Sequence, residues 1–127
     1  MASELRVNTL KDASGNNSVA MEYVANGSAK AWINFNGTGT IAARDSLNVG
    51  SISDEGTGDY DINLISSMNN DDYCVTCGAG RNSASAAAGF QPPNNLTTSQ
   101  YNISSTDSGG AATDFEQPMS QIVGDLA

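Results

Sequence analysis

The sequence contains no histidine and only five basic residues among 127. Without imidazole, Ser-His-Asp and Cys-His nucleophilic machinery and the H-E-x-x-H zinc signature are excluded. Five scattered Lys and Arg cannot assemble a phosphate clamp. Fourteen acids leave a net charge of −9, which repels nucleic-acid backbones. No basic amphipathic stretch suits a membrane surface, and no apolar run approaches membrane-spanning length, so no membrane insertion is expected. The first residues, Met1-Ala2-Ser3-Glu4-Leu5-Arg6, lack the apolar core of a signal peptide, and synthesis in a cytosol is the expectation.

Large core-forming side chains are scarce too. Six Leu, seven Ile, six Val and three Phe make up about 17% of the chain, and Ala helps hold the apolar total at 39%. A strongly charged chain below roughly 20% in these types approaches the disordered class. Such a chain either stays unfolded or completes its burial against copies of itself, and its strand-and-turn pattern favours the second.

Cysteine is limited to Cys74 and Cys77, a C-x-x-C. Tyr73, Val75 and Thr76 around them are strand formers, and alternation places residues three apart on opposite faces. Their Cα atoms then lie roughly 10 Å apart, beyond disulfide reach. Zinc would need two further ligands, so two reduced strand cysteines are expected, with no cofactor and no metal.

What is present has period two. Ile33 and Phe35 share one face and Trp32 takes the other, ahead of a turn at Asn36-Gly37-Thr38-Gly39. Ile41, Ala43, Asp45, Leu47 and Val49 read as one face, with Gly50 marking a bulge or bend. After a turn at Asp54–Gly58, Tyr60, Ile62 and Leu64 stand opposite Asp59, Asp61 and Asn63. Further strands are expected around Tyr73–Cys77, at Tyr101–Ser105 and at Ser120–Leu126. Gly78-Ala79-Gly80 and Pro92-Pro93-Asn94-Asn95 read as loops, Ser83–Ala88 as a thin strand or one helical turn, and Asp107-Ser108-Gly109-Gly110 as a turn.

The N-terminal region differs. Leu5, Val7 and Leu10, then Val19, Met21 and Val24, form short pieces that cannot close a core. Charge balances over residues 1–30, whereas residues 82–127 carry four acids and no base. The expected organisation is an extended attachment or oligomerisation arm over 1–29 and an exposed domain over 30–127. The expected fold is all-β: a β-sandwich or small barrel of short antiparallel strands, assembled as a trimer.

Paired carboxylates, Asp59/Asp61 or Asp71/Asp72, are the one catalytic option, as in glycosidases, but acids in turns are usually solvated. The Asp54-Glu55-Asp59-Asp61 cluster lacks EF-hand spacing and reads as a hairpin turn. N-x-S/T sequons at Asn16, Asn26, Asn36, Asn95 and Asn102 are coincidental in a chain this rich in these residues. Trp32, Tyr60, Tyr73 and Tyr101 could stack on sugars, but strand aromatics more often fill a core or interface. No catalytic, cofactor-binding or metal-binding residue is assigned.

The stretch Lys30-Ala31-Trp32-Ile33-Asn34-Phe35-Asn36-Gly37-Thr38-Gly39-Thr40-Ile41 resembles a segment of tail-fibre and other virion proteins of tailed phages of marine bacteria. Arg44–Val49 and Ser51–Tyr60 resemble the next segments of those proteins, so the likeness covers about residues 30–75. The resemblance implies a trimeric β-rich domain at a fibre end and brings no catalytic residues. In long fibres such a module lies at the tip; in a chain beginning at Met1 a tail fibre, head fibre or capsid decoration protein is expected. The implied partners are further copies of itself and another virion protein held by the N-terminal arm. The implied location is the virion, after synthesis in the host cytoplasm. The alternative is a receptor-binding adhesin for a bacterial surface glycan, contacting it through loops 78–83 and 91–99.

Overall fold

A computed structural model describes residues 3–80, 89–91 and 93–127. The chain is mostly β. A hairpin of β1 (Thr9–Lys11) and β2 (Ser18–Ala20) leads into a short helix, α1 (Met21–Gly27). Then come β3 (Ala29–Asn36), β4 (Ala42–Leu47), β5 (Val49–Gly56), β6 (Asp59–Leu64), β7 (Cys74–Gly80), β8 (Gly89–Phe90), β9 (Gln100–Thr106) and β10 (Gln117–Val123). The last eight strands form two four-stranded sheets, ordered β4-β3-β10-β7 and β5-β6-β9-β8, with every pair antiparallel.

Alternation explains how the sheets face each other. On β3, Ala31, Ile33 and Phe35 are buried while Trp32, Asn34 and Asn36 are half-buried on the outer side. On β6, Tyr60 and Ile62 point inward and Asp59 and Asp61 outward. The two inner faces meet where the Phe35 and Tyr60 rings pack edge to face at 5.0 Å, and where the Tyr101 hydroxyl lies 2.9 Å from Ser120 Oγ. Ile103, Ile122, Met68 and Tyr73 complete this core. A count of aliphatics and Phe therefore understates the burial available, because Tyr60, Tyr73, Tyr101 and Met68 carry much of it.

Asn48, in the left-handed region at φ 57°, separates β4 in one sheet from β5 in the other. Its side chain holds the corner by accepting the Ser66 N–H at 2.7 Å and donating to the Ser66 carbonyl at 3.0 Å. At the other end Tyr60 ties three connections. Its hydroxyl lies 2.9 Å from the Gly37 carbonyl and 2.8 Å from Asp114 Oδ1, and the same carboxylate accepts the Gly58 N–H at 2.6 Å.

Several sequence expectations need correction. The face assigned to Ile41, Ala43, Asp45, Leu47 and Val49 is split, because the register shifts between Asn34 and Phe35 and leaves Arg44 as an extra residue on β4. Asp45 and Leu47 consequently oppose Asn34 and Trp32 on the outer side, and Ser46 opposes the buried Ile33. Gly78-Ala79-Gly80 is strand, paired with Gln117–Met119. Pro118 lies inside β10, where pairing with β3 has already ended at Met119, so its missing N–H breaks no ladder on that side. The N-terminal pieces include the helix α1, which the strand-like pattern did not suggest. The bulge expected at Gly50 is present, between Val49 and Ser51. Ser83–Ala88 lies outside the described residues.

Candidate interaction surface

The two sheets present outer faces of opposite character. Alternation on β5, β6 and β9 turns Ser51, Ser53, Asp59, Asp61, Asn63, Gln100, Asn102 and Ser104 outward. Asn102 Nδ2 donates to Asp59 Oδ1 at 2.7 Å and to Asp61 Oδ1 at 2.9 Å, and Gln100 Nε2 donates to Asp61 Oδ2 at 3.2 Å. An amide thus bridges the two carboxylates most open to a catalytic or calcium reading, and it fixes them as acceptors within the sheet. Among the described residues, no three His, Cys, Asp or Glu side chains converge as a metal site. Asp54 Oδ1 accepts the Gly56 N–H at 3.2 Å, as a turn residue does. Asp71 and Asp72 are exposed in the connection before β7.

The other sheet is different. The outer positions of β3 are Trp32, Asn34 and Asn36; those of β10 are Gln117, Met119, Gln121 and Val123; those of β7 are Cys74, Thr76, Gly78 and Gly80. None of these is acidic or basic; at the margin of the strip Lys30 precedes Trp32 on β3, and β4 sets Asp45 beside Asn34 and Leu47 beside Trp32. Across the middle runs a shallow groove of about 490 Å³ lined by Trp32, Asn34, Thr76, Gly78, Met119 and Gln121. It exists because Gly78, opposite Met119, contributes no side chain. Asn34 Oδ1 is buried beneath the groove and accepts no hydrogen bond from the described residues, a costly state for an amide oxygen.

Cys74 is exposed on this outer side, whereas Cys77 points inward and its thiol is pushed up to about 11 by burial. Both are free, on opposite faces as alternation requires. Tyr60, Tyr73 and Tyr101 are buried, which removes them as sugar platforms; Trp32 and Phe90 are half-buried. Of the proposed contact loops, 78–80 is strand, while 81–83 and Pro92 lie outside the described residues. Alternation showed that Trp32 opposes the core-facing Ile33 and Phe35. The neutral face itself was not visible, because it is assembled from three strands far apart in sequence.

A second apolar area lies where the N-terminal region joins the sheets. Leu47, Ile65 and Leu126 are exposed around a hollow shared with Ser28, Ala29 and Lys30. Further out, α1 buries none of its residues, and Leu5 (79% exposed), Tyr23 (69%), Leu10, Val19 and Val24 face solvent. Comparison with known proteins finds no matching family model, no similar curated protein and no similar solved structure.

Proposed function

We propose that this chain is a fibre-type structural component of a bacteriophage particle, attached through residues 1–29 and displaying the two-sheet body as a homotrimer. The observation that carries the reading is the unfinished N-terminal region. A seven-residue helix with nothing buried is not stable by itself in water, and neither is a hairpin of two three-residue strands. Apolar side chains held out on such elements are suited to docking on another protein. The phage-fibre resemblance of residues 30–75 supplies the kind of particle, and the chemistry supports a role in holding position. No histidine-based nucleophile–base pair is available, and Asp59 and Asp61 are held by Asn102.

The test is incorporation. Particles purified from an infected culture are expected to contain this chain in fixed stoichiometry. Particles made with residues 2–25 deleted are expected to lack it, although the truncated protein is soluble and β-folded. Truncated chain at full occupancy would overturn the attachment role. Absence of the intact chain from particles would overturn the virion reading.

A further inference from the structure

We propose that the uncharged strip formed by the outer positions of β3, β10 and β7 is where a second copy of this chain docks, with Trp32 at the centre of the contact. This deepens the homo-oligomer reading above and rests on it.

The first ground is charge. Two copies at −9 each repel at long range, so they can associate only through a contact that sets no carboxylate against another. The opposite sheet cannot provide this, because Asp59 and Asp61 stand in its middle. The β3–β10–β7 strip can, since no Asp, Glu, Lys or Arg occupies its outer positions from Trp32 to Asn36, Gln117 to Val123 and Cys74 to Gly80, and Asp45 of β4 lies only at its margin, beyond Asn34. A basic partner would be drawn to the acidic sheet. A partner carrying the same excess of acid needs the neutral one, and a copy of this chain is such a partner.

The second ground is the groove. Its rim carries Trp32 and Met119, residue types enriched at interface centres, and its hollow lies over Gly78. Its floor contains the Asn34 oxygen with no donor from the described residues. A facing copy covers the indole and meets the exposed Gln121 and Thr76 with amide and hydroxyl groups of the same kind. Apolar knob and neutral rim lie on one face.

Trp32 is the single tryptophan, so its fluorescence reports on this face directly. The intact chain is expected to sediment as an oligomer at micromolar concentration. Its emission should shift to the red on dilution while the far-ultraviolet circular dichroism stays unchanged. Because the contact is uncharged, added salt should screen the remaining repulsion and tighten association. Met119→Glu and Gln121→Glu, which keep the tryptophan, and Trp32→Glu should each weaken association at least about 30-fold while remaining folded. Ser53→Glu on the acidic sheet should leave it unchanged. If the folded groove variants associate as the parent does, copies meet elsewhere; the assignment of the face is then wrong, though the oligomer survives. A parent protein that stays monomeric throughout the micromolar range overturns the oligomer as well.

Discussion

The tyrosines show how much one hydroxyl can govern. Burial pushes the Tyr73 and Tyr101 hydroxyls up to about 12, and burial together with Asp114 raises Tyr60 further. Each is satisfied as a neutral group: Tyr73 donates to carbonyls of Thr97 and Gln100, and Tyr101 shares a hydrogen bond with Ser120. The unfolded chain releases these protons near the ordinary value of 10.0, so the folded state binds more protons between there and about 12. The stability these tyrosines contribute is therefore fully present below about pH 10 and is lost as pH rises through that window. Tyrosinate absorbance should appear together with loss of the β signal in one cooperative alkaline transition. Absorbance equal to all four tyrosines with the β signal intact at pH 11 would contradict this.

At the scale of elements, turns carry as much constraint as strands. Gly58 sits at φ +68°, and a Cβ there would collide with the Ser105 carbonyl and lie 2.9 Å from Thr113 N. Both obstacles are backbone and neither can swing away. Its amide and carbonyl are also engaged, by Asp114 and by the Ser105 N–H. Gly58→Ala is expected to cost about 3 kcal/mol or more, from backbone strain plus overpacking, lowering the urea midpoint without changing its slope. A loss below about 1 kcal/mol would mean that the β5–β6 turn is looser than its contacts imply.

The same scale shows how far the elements were legible in the sequence. The strands at Trp32–Phe35, Tyr60–Leu64 and Tyr101–Ser105 were legible because one side of each is apolar and the other polar. Gly78-Ala79-Gly80 was not, because residues with little or no side chain leave no pattern to alternate. The bulge at Arg44 was hidden for another reason. An unbroken run of alternating types gives no sign that one residue is looped out, and every side chain on one side of the loop is then turned over. The helix α1 is too short for its period to register. The candidate surface was legible only as the placement of Trp32 opposite the core. Its neutrality follows from the adjacency of β3, β10 and β7, which depends on contacts between distant parts of the chain.

At the scale of the whole molecule, the strand order separates neighbours in space from neighbours in sequence. The hairpins β3–β4 and β5–β6 form locally, but each sheet is completed by a strand from residues 100–123: β10 against β3, and β9 against β6. During synthesis at about 5–20 residues per second, several seconds separate the appearance of the first hairpins from that of their partners. For that interval Ile33, Phe35 and Ile62 have no opposing layer, and β3 and β6 offer unpaired edges to any chain nearby. Folding is thus held back until β10 is made, and crowded nascent copies can exchange strands before each closes on itself. Chains stopped after Thr106 are expected to remain protease-sensitive, and protection should appear only when translation has passed Val123. Protection of the shorter product would show that the β3–β4 hairpin and the β5–β6–β9 sheet fold without β10. Where many copies are made side by side, the rate of translation then helps decide whether they become separate bodies or a tangle.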